Sequence, residues 1–481
     1  MKNICIKYFI YISSMLLLFS ACTSKYNPEY DQLMQSVYKQ GQFNGNVLIL
    51  KDGKIVYKNA MGIGNIDPID SLDLNSRFRL ASVSKQFTAT GIMKLAECGA
   101  LNYEQDLRDF IPELPYDGIS IRHLLNHTSG IPDYERLLNA NWKPELSYKD
   151  PKRIISGNDD IINSLVEMHP PMRFEPGEKY EYSNTGYVLL ASIIERVSGR
   201  TFAEYLKEQI FDPAGMKNTC VYKYVLADSL SIPNRVYGYK LDLNGRDHIS
   251  TDYHYINPVQ GDGGVYSTVG DMLKWDRVLY GDKILSDASR KEVFSPAILN
   301  NGDTSWYGFG WRIKTSPTGK KVLEHSGRWV GFLTHFYREI EENNCIIILT
   351  NHSSRYIRDI VNELKHILHD QEWQIPKITI AEKIAPVLLD QGVDAAIALF
   401  KDLHTNNASD YNFDEYYLRS LGYNLLNMDL HHEALQVFLL NRDMYPASAR
   451  VYDCLSNAYQ TLGDTLNSTR NKNKAQSLRN T

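Results

Sequence analysis

Three short segments carry side chains that could together cleave an ester or amide bond. The first is Ser82-Val83-Ser84-Lys85, at the start of a segment with helical periodicity. Residues three positions apart lie on the same face of a helix, so Ser82 and Lys85 can meet. A serine hydroxyl becomes a good nucleophile only when a base takes its proton. Lys85 can be that base if burial or a nearby cation lowers its pKa towards the working pH.

The second segment is Tyr182-Ser183-Asn184, which lies between a Pro-Gly turn and another helical pattern. A phenol close to a lysine cation loses its proton more easily and can act as a general base. The Asn184 side chain can hold a substrate amide, because it offers both a carbonyl acceptor and an amide donor.

The third segment is His325-Ser326-Gly327, just before a predicted hairpin. Glycine allows an edge strand to approach a ligand closely. A backbone N–H group in this strand could join that of Ser82 in an oxyanion hole, where losing one donor costs about 3–4 kcal/mol of transition-state stabilisation.

The first two patterns also occur elsewhere in the chain. Ser36-Val37-Tyr38-Lys39 repeats the serine–lysine spacing, and we predict an exposed helical turn there. Tyr57-Lys58-Asn59 lies within a predicted strand, whereas Tyr255-Ile256-Asn257 lies in a loop and remains an alternative to the second segment. Ser82 is favoured by its surroundings, a strand-like segment before it and a long apolar helix after it.

The elements that must position these groups indicate an α+β fold. A hairpin is predicted over residues 46–59, where Asp52-Gly53 is a strong two-residue turn signal, and a second over residues 332–350. Helical patterns at Ser82–Cys98 and Thr185–Val197 fill the middle of the chain. Strands at both ends around central helices predict one antiparallel sheet flanked by helices, with a helical subdomain.

The N-terminus predicts export. Lys2 and Lys7 precede a short apolar run, and small residues lead up to Cys22. We expect a lipoprotein signal peptide over residues 1–22 with lipidation of Cys22, the alternative being a plain cleaved signal. The protein would then be anchored by lipid in a bacterial membrane, facing the periplasm or the cell surface.

Composition excludes few functions but limits the partners. The chain has 481 residues and a formal net charge of −5, which gives no reason to expect nucleic acid as a partner. The cysteines after Cys22 are far apart and lack metal-ligand spacing. We therefore predict no disulfide, no metal site and no cofactor.

The C-terminal hundred residues differ from the rest. Leucine and glycine positions of one helical segment recur 34 residues later, at 418, 421, 422 and 425 and again at 452, 455, 456 and 459. This resembles the tetratricopeptide repeat. We expect a hydrolase domain over residues 23–370 and a small helical repeat segment over 371–481, docked as a cap. A groove for a protein partner is the alternative.

Together and in this order, the three segments resemble the serine β-lactamase and penicillin-binding-protein superfamily, particularly its class C-like branch. The resemblance covers about residues 40–365 and includes the segment Leu124–Pro132. It implies the same antiparallel sheet flanked by helices, with the active site between the sheet and a helical subdomain.

The resemblance also implies roles for individual residues. Ser82 would form an acyl-enzyme, and Lys85 and Tyr182 would share the proton transfer. The backbone N–H groups of Ser82 and Arg328 would hold the oxyanion. The residues implied in substrate binding are Asn184, His325, Gly327 and Arg328. The segment around His127 is mainly structural in the family, so a direct role for His127 is the minor alternative.

One departure from the family bears on the substrate. Members that act on β-lactams usually have Lys-Thr-Gly at the third segment, where the lysine helps to bind a carboxylate. Here the position is His325, and a histidine with a pKa near about 6.5 is largely neutral at pH 7. His-x-Gly resembles instead the family's esterases and D-amino-acid peptidases. Arg328 could restore a cation, and Asp262, if it lies in the cleft rather than in a turn, could favour a substrate amine.

We therefore expect a serine hydrolase that cleaves an ester or amide through an acyl-enzyme on Ser82, acting on small peptides or cell-wall-derived substrates. One alternative is a true β-lactamase or D-Ala-D-Ala carboxypeptidase. Another is a non-catalytic ligand-binding lipoprotein whose repeats recruit a partner.

Overall fold

The computed structural model describes residues 27–141, 157–223 and 232–480. The predicted signal peptide and Cys22 lie outside these ranges. Among the helices within them, none is both long and apolar enough to cross a membrane.

The strands alternate with helices in an α+β arrangement. The strands are β1 (Gly45–Lys51), β2 (Lys54–Met61), β3 (Ile63–Ile66), β4 (Ile69–Ser71), β5 (Phe78–Arg79), β6 (Cys220–Val221), β7 (Tyr239–Leu241), β8 (His248–Ser250), β9 (Val265–Ser267), β10 (Ala297–Ile298), β11 (Thr304–Ser305), β12 (Arg312–Thr315), β13 (Lys321–Trp329), β14 (Phe332–Glu339), β15 (Asn344–Thr350), β16 (Ile378–Thr379) and β17 (Tyr411–Asn412). The helices are α1 (Pro28–Lys39), α2 (Lys85–Glu97), α3 (Ile121–Leu125), α4 (Tyr134–Asn141), α5 (Asn158–Met168), α6 (Asn184–Ser198), α7 (Phe202–Leu206), α8 (Asp212–Ala214), α9 (Val269–Val278), α10 (Asp287–Val293), α11 (Ile357–Leu368), α12 (Ile380–Gln391), α13 (Val393–Asn406), α14 (Glu415–Leu426), α15 (His431–Met444), α16 (Ala449–Thr461) and α17 (Thr465–Arg479).

The central layer is a six-stranded sheet in the order β12-β13-β14-β15-β1-β2, with every neighbouring pair antiparallel. Asp52 and Gly53 form the β1–β2 turn with φ of 50° and 74°, the left-handed values that a type I′ turn requires. Gly45 of β1 pairs with Thr350 of β15, so the first and last hairpins lie in one sheet. The predicted antiparallel sheet with flanking helices is therefore confirmed.

Strand β13 carries the third motif just beyond the part that β12 covers. β12 pairs with residues 321–324 only, with Arg312 opposite Glu324, so His325-Ser326-Gly327 follow the end of that pairing. β12 itself was not predicted, because it is too short to be recognised from its sequence. Its first residue, Arg312, lies next to the motif.

Both predicted central helices are present, with shifted starts. A 3₁₀ turn, Ala81–Ser84, precedes α2, so Ser82 lies before the α-helix rather than in it. Helix α2 packs against α6 at Gly91, where an added Cβ would lie 2.8 Å from the Cδ1 of Ile194. This close crossing brings the segments that carry Ser82 and Asn184 together.

Helices α12 to α17 form the C-terminal part, with a hydrophobic core of its own. It contacts the rest of the protein through specific polar bonds. The Thr379 N–H donates to the Tyr356 hydroxyl at 2.9 Å, and Arg246 pairs with Asp390 at 2.7 Å. The C-terminal segment is therefore helical and docked against the sheet-containing part.

Candidate active site

Ser82 lies in the 3₁₀ turn between β5 and α2. The residue before it, Ala81, has φ of 49°, a left-handed conformation that is unfavourable for alanine. Backbone strain of this kind costs about 1–3 kcal/mol and persists only where the surroundings enforce it. The strain therefore marks the turn as a place where the position of Ser82 is imposed by its neighbours.

Lys85 is fully buried, and its amine contacts three oxygen atoms. Its Nζ lies 2.8 Å from the Oδ1 of Asn184, 2.8 Å from the backbone oxygen of Asp262 and 3.3 Å from the Oγ of Ser82. The predicted contact between Ser82 and Lys85 is thus present, and two carbonyl groups hold the amine in place.

Tyr182 lies beside the same amine. The Nζ of Lys85 is 5.0 Å from the centroid of its ring, a cation–π distance. The Tyr182 hydroxyl is buried and has no hydrogen-bond partner within the described residues. The structure therefore brings the tyrosine and the lysine together through the ring face.

Asn184 connects this group to acidic side chains that the sequence did not reveal. Its Nδ2 donates to the Oε1 of Glu135 at 2.9 Å, and its backbone N–H donates to the Oδ2 of Asp133 at 2.7 Å. Burial, with the nearby charges of Asp262 and Asp133, raises the pKa of Glu135 to about 7. The Asp262 carboxyl accepts the Tyr134 hydroxyl at 3.0 Å, and burial raises its pKa as well.

A cavity of about 110 Å³ opens in front of these groups. Its lining includes Ser82, Glu135, Asn184, Asp262 and Arg328. Asp262 is therefore a lining residue of the cleft, not only a turn residue. The nucleophile candidate, two acidic side chains and two cationic ones, Arg79 and Arg328, line the same space.

Strand β13 forms one wall through Gly327. A Cβ added to Gly327 would lie 2.2 Å from the Leu80 backbone oxygen and 2.3 Å from the Oγ1 of Thr334. These distances are far below van der Waals contact, so only glycine fits. Gly327 thus allows β13 to lie against the turn that carries Ser82, and the backbone of Arg328 follows directly.

His325 is buried in this wall and is neutral. Its Nδ1 lies 2.8 Å from the Ser326 carbonyl oxygen, which can only accept, so the proton is on Nδ1. Its Nε2 then accepts from the Tyr307 hydroxyl at 3.0 Å. Burial and the charges of Lys85 and Arg312 lower the pKa of His325 to about 3. His325 therefore supplies no cation.

Arg312 is the residue that the sequence reasoning missed on this side. It extends from β12, and its guanidinium carbon lies 5.6 Å from the ring centroid of Tyr182. Arg328, the cation we had considered, is exposed and lines the cavity. Two arginines thus lie near the site, Arg312 beside Tyr182 and Arg328 at the cavity.

Two of the repeated patterns lie outside this arrangement, whereas Ile256 of the third lines the cavity. Ser36 donates its hydroxyl to the Gln32 carbonyl of its own helix at 2.7 Å. Tyr57 is buried in β2 among core residues. The Asn257 Oδ1 accepts from the Nε1 of Trp329 at 2.7 Å and from the Nη1 of Arg79 at 3.1 Å, so it ties a loop to β13.

Comparisons with known proteins agree with this geometry. Residues 30–365 match the family model described as Beta-lactamase. The chain is 41% identical over 354 residues to penicillin-binding protein 4* of Bacillus subtilis, covering 72% of this chain and 76% of that protein. It is 26% identical over 316 residues to a D-aminopeptidase of Gluconobacter oxydans, covering 64% of this chain and 56% of that protein.

Solved structures agree with the fold. A penicillin-binding protein from Bacillus halodurans superimposes with a TM-score of 0.60 at 27% identity, covering 70% of this chain and 98% of that one. The D-amino acid amidase from Ochrobactrum anthropi shares the fold with a TM-score of 0.56 at 23% identity, covering 71% and 98%. The chain therefore belongs to the beta-lactamase family and is a serine hydrolase related to penicillin-binding proteins and D-aminopeptidases.

Proposed function

We propose that the protein hydrolyses an amide or ester bond of a small peptide with a free amino group, through an acyl-enzyme on Ser82. The observation that carries this proposal is the acidic pair Glu135 and Asp262 in the cavity that contains Ser82. Burial raises the pKa of both carboxyl groups, and the charge of Asp262 raises that of Glu135 further. An ammonium group in the cavity would offset the repulsion between the two carboxylates, and their negative charge would bind it.

In the proposed reaction, the Ser82 oxygen attacks the carbonyl carbon while its proton passes to Lys85 or Tyr182. The backbone N–H groups of Ser82 and Arg328 stabilise the oxyanion. The tetrahedral intermediate collapses, and the leaving amine or alcohol takes up the proton. Water then attacks the acyl-enzyme ester by the same route and regenerates the Ser82 hydroxyl. Asn184 holds Lys85 and offers its amide to the substrate.

The substrate class is supported by the relatives. Proteins named D-aminopeptidase and D-amino acid amidase are among the matches, which supports a D-residue on the acyl side of the cleaved bond. Small peptides derived from the bacterial cell wall combine D-residues with free amines, and we propose them as the source.

A fluorophosphonate probe tests the nucleophile. We expect it to label the wild-type protein and to spare Ser82→Ala. Absence of wild-type labelling would contradict the proposal and favour a non-catalytic ligand-binding protein. The substrate is tested by paired D-aminoacyl p-nitroanilides with a free or an acetylated amino group. Equal kcat/KM for the two members of a pair would contradict amine recognition while leaving the hydrolase intact.

The second candidate is a D-Ala-D-Ala carboxypeptidase or β-lactamase. Arg312 and Arg328 favour it, because a guanidinium group recognises a carboxylate by paired hydrogen bonds. Rapid turnover of a chromogenic cephalosporin would support this candidate over amine recognition. A merely detectable rate would not, because related esterases share the nucleophile.

We also propose that the protein is exported and held at a bacterial membrane by a lipid on Cys22. The proposal is supported by the basic and apolar residues that precede this cysteine.

The C-terminal helices are proposed to be tetratricopeptide-like repeats that could bind a protein partner. The tight crossing of α14 and α15 supports this, since a Cβ at Gly422 would lie 2.2 Å from the Phe438 ring.

A further inference from the structure

His127 holds the backbone on both sides of Tyr182. Its carbonyl oxygen accepts the Glu181 N–H at 3.0 Å, and its ring Nδ1 accepts the Ser183 N–H at 3.2 Å. Because Nδ1 accepts, the ring proton lies on Nε2. The residues immediately before and after Tyr182 are therefore fixed by one histidine.

The ring of His127 also contacts the Tyr182 ring directly. The two centroids are 4.2 Å apart with an interplanar angle of 36°. The Nζ of Lys85 lies 5.0 Å from the same tyrosine centroid. Further rings surround the histidine, those of Tyr187 and Tyr307 at 5.1 and 4.6 Å. The phenol thus has little freedom to move relative to the amine.

The conformation of His127 indicates that this arrangement is enforced. Its φ is 59°, in the left-handed region, and its side chain is buried with 1% of the residue exposed. Burial and the charge of Lys85 hold the pKa of its imidazole well below the usual value, so the ring is neutral. A neutral ring keeps the Nδ1 lone pair that the Ser183 N–H requires.

Packing alone does not account for a histidine here. The buried Nε2 has no hydrogen-bond partner within the described residues. An unpaired buried donor costs about 1–3 kcal/mol, which an apolar ring of similar size would avoid. What histidine supplies and an apolar ring lacks is the acceptor at Nδ1.

From these observations we infer that His127 is a positioning residue, which sets the Tyr182 phenol beside Lys85 through the Ser183 N–H bond and the ring contact. The inference deepens the proposed function and rests on it, because it concerns the tyrosine that this function uses. Among the described residues, the His127 ring makes no hydrogen bond to the Ser82 oxygen or to the amine of Lys85.

The test is a double-mutant cycle between His127→Phe and Tyr182→Phe, read as the rate of fluorophosphonate labelling of Ser82 in the full chain. A displacement of about 1 Å at a reacting group can cost about 100-fold in rate, so we expect a loss of that size for His127→Phe. In the Tyr182→Phe background, the same change should cost less than about threefold, because the group that it positions is already gone.

Two further variants separate the nitrogen from the ring. His127→Asn keeps an oxygen near the place of Nδ1 and tolerates a positive φ, whereas His127→Gln places its amide near Nε2. We expect His127→Asn to label at least about tenfold faster than His127→Gln, as expected for restoring a hydrogen bond worth about 1.4 kcal/mol. Thermal unfolding midpoints of all variants monitor folding independently.

The outcomes are distinguishable. An equal loss in both backgrounds, or equal rates for the Asn and Gln variants, would overturn the positioning role while Ser82 and Tyr182 keep theirs. If Tyr182→Phe alone labels at the wild-type rate, the tyrosine step of the proposed function fails and the inference fails with it.

Discussion

Replacing Gly327 by alanine should push β13 away from the turn that carries Ser82. These two segments hold the N–H groups of the proposed oxyanion site. The new Cβ would lie 2.2 Å from the Leu80 backbone oxygen and 3.0 Å from the Ala81 Cβ. A relaxed carbon–oxygen contact is about 3.3–3.6 Å, so the backbone must move apart by about 1 Å. Rotation of a side chain cannot relieve the clash, because one of the two atoms belongs to the main chain.

The displacement acts where the proposed reaction develops negative charge. Arg328, which offers one oxyanion N–H, directly follows Gly327, and Ser82, which offers the other, follows Ala81. Removing one donor from an oxyanion hole costs about 3–4 kcal/mol, or about 10²–10³ in kcat. We therefore expect Gly327→Ala to lose about 100-fold or more in kcat, with a smaller change in KM.

The assay is steady-state hydrolysis of an aminoacyl p-nitroanilide, together with the rate of fluorophosphonate labelling and the thermal unfolding midpoint. Gly281→Ala is the matched control, since a Cβ there meets no atom within 4 Å. If Gly327→Ala is as active as Gly281→Ala, β13 does not constrain the oxyanion site and the geometric argument is refuted.

Two further predictions concern charge. The pKa of Glu135 is raised to about 7, so KM for substrates with a free amine should rise as the pH falls below that value and the carboxylate is protonated. Glu135→Gln should abolish this pH dependence. It should also lower kcat/KM by about tenfold or more, because a charge-assisted hydrogen bond contributes about 1.5–3 kcal/mol. An unchanged pH profile would exclude Glu135 as the amine contact. Away from the site, Arg338 and Asp276 form a fully buried pair at 2.6 Å. Arg338→Met should lower the unfolding free energy by about 3–5 kcal/mol in urea titration, because it leaves a buried carboxylate unpaired; a loss below about 1 kcal/mol, the value of an exposed pair, would contradict this.

Much of the fold was accessible from local patterns. The turn at Asp52-Gly53 and the alternation around it predicted the β1–β2 hairpin, because the backbone twist of such a turn matches that of its strands. That the first and last hairpins share one sheet was predicted from their positions on either side of the helical middle, and the pairing of β1 with β15 is where they join. β12 was missed, since four residues with no strong alternation do not differ from a loop in sequence.

The contact between Ser82 and Lys85 could be predicted, because residue spacing within one turn determines which side chains can meet. Ser82 and Lys85 are three residues apart and meet, whereas Ser36, at the same spacing from Lys39, bonds the Gln32 carbonyl. Lys85 is buried and Lys39 is exposed, so burial rather than spacing distinguishes the two pairs. Glu135 and Arg312 could not be found, because each reaches the site from an element with no motif of its own. Such contacts depend on tertiary packing, which a single sequence does not encode locally.

The contacts of Lys85 suit the part that the proposed function gives it, which is to take a proton from Ser82 and later return one. Two of its neighbours, the Oδ1 of Asn184 and the Asp262 backbone oxygen, can only accept hydrogen bonds, and both lie at 2.8 Å. They therefore take two N–H groups whether the amine is charged or neutral. The remaining direction points to the Ser82 Oγ at 3.3 Å. When the amine is charged, its third N–H group points to the Ser82 oxygen. When the amine is neutral, its lone pair points there and can accept the Ser82 proton. Because neither state requires the amine to move, proton transfer along this direction requires no rearrangement of the surrounding residues. In the proposed function, Tyr182 would exchange the proton with the leaving group.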